Sequence, residues 1–454
     1  MLRGRRLTGV ASALIALAAV SQVSGTAAGA TASGDRLWVT PNGNQLHHLE
    51  PVAIATSPDG SRVFETGQWN ASGHHMYGTA AFDTSTGKRL WVARYRARRD
   101  ASDAATATAV SPDGTTVFVT GFSADTPNVY DYATIAYDAT TGAQRWVARF
   151  DDANHGSDTP WSAAVSPDGA LVFVTGAADY SGGHGFGATI AYDAATGGQV
   201  WKTVIPGGTG PNAAGIKVVA SPDGSRVFVI GARDTTTLTF AYDAATGAKL
   251  WMSAYHHVGA DDSPSSGVVS RDASTLYVSG TEAFGCCESV YFTIAYDTLT
   301  GARRWMARSH DSAHVANQAT SSAVSPDGAA VFVTGYHNDH DLAHHFTTVA
   351  YDASDGRVLW RRFYAADIDS ASAYSIAVSP DGNRVVVAGD GYFTDSSSAD
   401  YVTIAYDAKT GAQVWRARYD DPQHFYDSAR AVAIDPTGSR VFVTGLGPMI
   451  AYAL

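Results

Sequence analysis

From residue 49 onward, apolar and small residues alternate with polar ones at period 2 over runs of four to eight residues, and each run is closed by a turn signal. That is the pattern of half-buried β-strands, with no stretch keeping the 3.6-residue period of an amphipathic helix. In one unit the runs are 107–111, 117–121, 132–138 and 144–150, here named strands A to D. Strands A and B are linked by Ser-Pro-Asp-Gly, where Pro presets φ and Gly accepts a positive φ. Strands C and D are linked by Asp-x-x-Thr-Gly, again a tight hairpin with Gly in the left-handed position.

The unit recurs. The A–B turn ends at Gly60, Gly114, Gly169, Gly224, Gly328 and Gly382, with weaker copies at 270–273 and 435–438, at spacings of 49 to 56 residues. Eight units of four short strands predict an all-β, eight-bladed β-propeller of four-stranded antiparallel blades. Strand D carries a tryptophan each time: Trp91, Trp146, Trp201, Trp251, Trp305, Trp360 and Trp415, with the eighth at Trp38. The last unit ends after strand C, at residues 451–454, so the missing strand is expected at 35–40, closing the last blade and removing open sheet edges. The expected organisation is a leader over 1–30 and one propeller domain over 31–454.

Residues 1–30 are predicted to be an export signal: Arg3, Arg5 and Arg6 precede an apolar stretch from Leu7 to Val20, and Ala28-Gly29-Ala30 fits a cleavage site. The apolar stretch is too short for a permanent anchor, and the Arg5-Arg6 pair leaves both general and twin-arginine export open. Removing the leader takes the formal charge from −12 to −15. An acidic surface without a basic block argues against nucleic acid and anionic membrane as partners. The expectation is a secreted, extracytoplasmic monomer without a membrane span.

The string Ala-x-Asp-x-x-Thr-Gly-x-x-x-Trp is complete at 81–91, 136–146, 191–201, 241–251, 295–305 and 405–415, and at 350–360 only the Thr is replaced, by Asp355. This resembles the tryptophan-docking repeat of the quinoprotein propellers, which include pyrroloquinoline quinone dependent alcohol dehydrogenases and the non-catalytic outer-membrane assembly lipoprotein. The unit as a whole also resembles bacterial extracellular β-propeller repeat proteins. The resemblance implies that each tryptophan packs blade on blade with its N–H bonded to backbone. It implies no chemistry, since enzymes and inert scaffolds share the motif.

Candidate chemistry is sparse. All fifteen histidines fall in predicted B–C or D–A segments, which hairpin alternation puts on one face. The densest group, His337, Asp339, His340, Asp341, His344 and His345, is expected to be an exposed polar loop that has the residue types to hold zinc, copper or nickel. His310 and His314 could join it. Asp103, Asp158, Asp262 and Asp427, with Asn317 in the same place, recur eight residues before the turn serine and are expected to cap backbone as the chain enters the next blade, or to ring a cation. The adjacent Cys286 and Cys287 can close a vicinal disulfide in an oxidising compartment, which fits a loop staple. The quinone dehydrogenases carry such a pair over their cofactor, but in an early blade, and their calcium site, catalytic Asp and floor Trp have no residue-by-residue match here. The reading therefore points away from pyrroloquinoline quinone and from any resident cofactor other than a divalent metal. No Gly-x-Ser-x-Gly, His-Glu-x-x-His or phosphate loop is present. The expected function is non-catalytic binding of an extracellular protein, glycan or cell-wall ligand through the B–C and D–A face. The alternative is a quinoprotein dehydrogenase or a lyase at the channel mouth. Trp161, Tyr336 and Tyr392 are the aromatic residues expected on that face.

Overall fold

The structure is a computed structural model that describes residues 31–40, 49–71, 74–98, 102–126, 129–152, 155–179, 185–207, 213–285, 288–309, 316–338, 343–364, 368–395 and 398–454. Residues Ser33–Leu454 form one compact unit. The leader expected over 1–30 lies outside the described residues, as do Cys286, Cys287, His310, His314, Asp339, His340 and Asp341.

Seven antiparallel sheets of four strands follow one another along the chain, spanning 49–95, 103–150, 159–205, 213–255, 261–309, 316–364 and 368–419. They are blades 1 to 7. The eighth contains Ser428–Ile434 as strand A and the continuous element Arg440–Ala453, whose two halves are strands B and C folded back at Gly447-Pro448. Leu454 N donates to Ser439 O at 3.1 Å, the same return bond that Ala139 N makes to Thr115 O in blade 2. Arg36–Val39 adds antiparallel to that sheet, with Arg36 opposite Tyr452 and Val39 opposite Ile450, as the fourth strand. Strand A of each blade touches strand A of the next, and that of blade 8 touches that of blade 1, so the ring closes.

The turns follow from their residues. In blade 2, Gly114 N donates to Ser111 O at 2.8 Å, and the Ser111 hydroxyl donates to Asp113, holding that carboxyl below its usual range. In the C–D turn, Gly142 sits at φ 72° and Thr141 N donates to Asp138 Oδ1 at 2.9 Å. A second reason fixes this glycine: a Cβ on it would stand 2.7 Å from the Trp91 ring of the preceding blade. Trp91 Nε1 then donates to Ala139 O at 3.1 Å, and the indole lies between Phe64 and Tyr137. The packing repeats around the ring, and the indole N–H bond repeats at every docked tryptophan except Trp415, whose Nε1 is buried without a partner among the described residues. The series includes the closure, where Trp38 Nε1 donates to Thr84 O at 3.0 Å and Gly34 takes the place of a turn glycine against Trp415.

The strands are longer than the sequence pattern predicts. In blade 2 they are Asp103–Val110, Thr116–Thr126, Val129–Asp138 and Gln144–Phe150. Strands B and C continue past the core as a hairpin through polar residues, because ladder hydrogen bonds satisfy the backbone even where no apolar face is buried.

Candidate functional site at the channel mouth

Strand A is innermost, and in all eight blades it breaks register at one equivalent point, between Pro51 and Ala53, Ala105 and Ala107, Pro160 and Ser162, Gly215 and Lys217, Pro264 and Ser266, Ala319 and Ser321, Ala373 and Ser375, and Ala429 and Ala431. Each break is a β-bulge, which leaves one residue unpaired and re-aims its side chain. The residues are Val52, Thr106, Trp161, Ile216, Ser265, Thr320, Tyr374 and Arg430, and none is buried. They sit near the start of strand A, at the end where the B–C and D–A connections gather. Seven kinds of side chain at eight positions thus ring the channel mouth on one repeated backbone.

A glycine in strand B makes each bulge. At Gly67, Gly121, Gly176, Gly231, Gly280, Gly335, Gly389 and Gly445 a Cβ would come within 1.9–2.3 Å of a strand A carbonyl oxygen. That strand-interior glycine was legible in the sequence, and such a glycine signals a close backbone approach. The sequence reading assigned the variable face to loops and did not use it.

Over blades 8, 1, 2 and 3 a cavity of about 430 Å³ is lined by Arg430, Val52, Thr106, Phe122, Gln68 and Trp161 among others. Trp161 is 40% exposed, although tryptophan is usually covered. Across the ring Tyr374 is 36% exposed, and its hydroxyl reaches toward Asp390, which also accepts from the Tyr426 hydroxyl at 3.2 Å. Burial raises the Asp390 carboxyl above its usual range. Trp161, expected on this face, is a strand A residue. Tyr336 and Tyr392 likewise lie on strand B of blades 6 and 7.

The histidines depart from expectation. His74, His75, His337, His344 and His345 lie within strands, not in loops. His337 is 2% exposed and faces His345 directly across the hairpin, with ring centroids 5.2 Å apart; its Nδ1 is 2.6 Å from Thr347 Oγ1 and its ring meets Phe363 edge-on. His344 stacks on Tyr336 at 4.4 Å. The expected exposed cluster is thus partly a packed hairpin, because B–C strands longer than predicted carry these residues into the sheet. His337→Ala is expected to lower stability by about 2 kcal/mol, read as a fall in the denaturation midpoint, since it opens a cavity and strands the Thr347 hydroxyl. An unchanged midpoint would return His337 to the surface.

The recurring aspartates hold backbone. Asp158 accepts from Asp152 N at 3.0 Å and Asp179 N at 2.9 Å, Asp103 accepts from Ala124 N, Asp262 from His257 N, and Asp427 from Asp421 N. Among the described residues two groups of three carboxylates have oxygens within 4.8 Å: Asp131, Asp151 and Asp158, and Asp400, Asp420 and Asp427. They are repeat equivalents built on Asp-Asp-x-x-His-x-x-Asp at 151–158 and 420–427. Each has an internal cation: Arg149 bonds Asp131 at 2.8 Å, and Arg418 bonds Asp400 at 2.7 Å. His155 and His424, both at φ 54°, bond Asp151 and Asp420. The clusters therefore pin the D–A connections that frame the mouth, and sequence spacing alone did not pair them, because Asp131 and Asp400 come from strand C.

Comparison with known proteins agrees with this architecture. The family model described as outer membrane protein assembly factor BamB matches residues 131–339 and 293–452. Among curated proteins, none matches the chain in sequence. Among solved structures, BamB from Moraxella catarrhalis is 16% identical with a TM-score of 0.50, over 89% of this chain and 100% of that one. The C-terminal WD40 domain of Sif2 is 14% identical with a TM-score of 0.63, over 93% and 99%. Sqt1 of Chaetomium thermophilum, bound to the N-terminus of the ribosomal protein L10, is 13% identical with a TM-score of 0.62, over 93% and 100%. At these identities the solved structures share the fold with this chain.

Proposed function

Because this chain belongs to the family of the outer membrane protein assembly factor BamB, we propose that it is an exported, non-catalytic scaffold that binds a protein partner at its channel mouth. The family and its WD40-type neighbours make it a propeller of a protein-interaction type, and no helix among the described residues is long and apolar enough to cross a membrane. The partner, the export and the face are the proposal. One observation carries it: the bulge ring presents seven kinds of side chain at eight positions of a backbone otherwise repeated, and places Trp161 at 40% exposure beside a concave, mixed polar and apolar cavity. Partly exposed aromatics that can be covered completely are what dominate protein interfaces. The reading needs neither a quinone nor a resident metal, and partners of the whole propeller are drawn to a strongly acidic surface, so a basic or neutral segment fits best.

The test is capture of partners from the producing cell's envelope with the exported protein as bait. Trp161→Ser is expected to weaken capture at least tenfold, about 1.4 kcal/mol or more, with the melting temperature little changed, whereas Thr141→Ala on the opposite face leaves capture intact. Capture that survives Trp161→Ser but fails with Thr141→Ala would move the interface to the other face.

A further inference from the structure

Strand B repeats a valine at Val119, Val174, Val229, Val278, Val333, Val387 and Val443, buried in all seven blades at 0% exposure. Blade 1 breaks the series with Glu65. Glu65 is 4% exposed, at the seam where blade 8 meets blade 1, and its Oε2 accepts from the Thr444 hydroxyl at 2.6 Å. A carboxylate in an apolar slot is costly to ionise, and burial moves this one up to about 7.

The seam is also where the upper rim is cut away. In other blades strands B and C run on as a hairpin; in blade 8 they turn at once through Gly447-Pro448. Above Glu65 this leaves an open cavity of about 210 Å³, lined by Glu50, Glu65, Asp421 and Asp427 and by the apolar Met449, Leu446 and Phe425 among others. Its described lining contains no lysine, arginine or histidine.

A buried hydroxyl lies beside Gly447 of the pocket wall without a partner among the described residues. In blades 1, 2 and 5 the equivalent tyrosines donate to a carbonyl of the next blade, Tyr77 to Ala133 O at 3.0 Å, Tyr132 to Ala188 O at 3.3 Å and Tyr291 to Tyr336 O at 3.3 Å. Tyr401 is 0% exposed, and its hydroxyl has no hydrogen-bond partner among the described residues. A Cβ on Gly447 would stand 3.1 Å from that hydroxyl and 2.6 Å from Asp427 Oδ1, so only glycine fits at this point of the pocket wall.

We propose that this seam pocket binds a primary alkylammonium group, its charge paired with Glu65 and Asp427, and its alkyl stem lying along Met449, Leu446 and Phe425. A divalent metal would ask for six or so converging oxygens and gain nothing from apolar walls. An alkylammonium uses both halves of the lining, as a lysine stem does against apolar surface. The group comes from a free amine or from a lysine side chain of a peptide, and the pocket adjoins the proposed interface without resting on it.

The experiment titrates the whole exported protein at pH 8 by calorimetry with n-butylammonium, with Nα-acetyl-lysine methylamide, with n-butanol and with calcium. Both amines are expected to bind and n-butanol is not. Glu65→Val, the residue found in the other blades, is expected to fold and to lose at least tenfold in affinity. The lysine derivative binding tenfold more tightly than butylammonium would assign the source to a peptide, and equal affinity to a free amine. Binding of n-butanol equal to that of the amine, unchanged affinity in Glu65→Val, or calcium displacing the amine would overturn the proposal. Trp161→Ser is expected to bind butylammonium as the parent does, so failure here and failure of the channel-mouth reading are separable.

Discussion

A chain that begins at Pro41 is expected to melt at least about 5 °C below one that begins at Thr31, and to associate on sizing columns. Without Arg36–Val39, blade 8 keeps three strands and presents an unpaired edge along residues 450–452. Trp38 leaves the slot where it packs on Phe442 at 5.8 Å, bonds Thr84 O and lies on Gly87. Gly34 leaves the face of Trp415 at the same time. Loss of a packed tryptophan alone costs about 3 to 5 kcal/mol, and the severed strand adds to it. For a unit of this size the unfolding entropy is about 0.9 kcal/mol per degree, which converts about 5 kcal/mol into the stated shift. The exposed edge explains the association. Equal melting temperatures for the two chains would mean that the ring is held shut by something other than this strand.

The second large effect concerns Glu65. Its carboxyl is raised from 4.5 to about 7 by burial in the seam, against the lowering effect of the Thr444 hydroxyl. A carboxyl raised in the folded state binds its proton more tightly there than in the unfolded chain. The stability it contributes in this linkage is therefore complete below about pH 4.5 and lost as pH rises to about 7. A shift of this size corresponds to about 3 kcal/mol. Glu65→Val is accordingly expected to match the parent near pH 4 and to exceed it near pH 8 by about 3 kcal/mol, or about 3 °C. Asp427, also raised to about 7 by burial, keeps part of the pH dependence in both proteins. Thermal melts at pH 4, 6 and 8 measure this. A constant difference across the three would show that Glu65 reaches water, and a lower melting temperature for Glu65→Val at pH 8 would show that its ionised form is held by a partner.

The sequence by itself determined the all-β class, the eight units, their four-strand order and the closure by an N-terminal strand. These are local facts repeated: Pro-Asp-Gly and Thr-Gly fix turns by backbone preference, and period-2 patterning fixes faces, so eight copies reinforce one reading. It also set the recurring aspartates before strand A in register, where the structure has them hold backbone N–H groups. It did not determine where strands stop, since the ladder runs on through polar residues, and so it placed His337 and His345 in loops. Only the tertiary structure decided that the strand B glycines lie against strand A carbonyls, that the bulges they permit form a ring at the mouth, and that Asp131 meets Asp151 and Asp158. It alone decided that Glu65 falls on the seam under a shortened turn. Those relations join residues tens to hundreds of positions apart, and a repeat pattern, which describes each blade against itself, carries no record of what one blade places against the next.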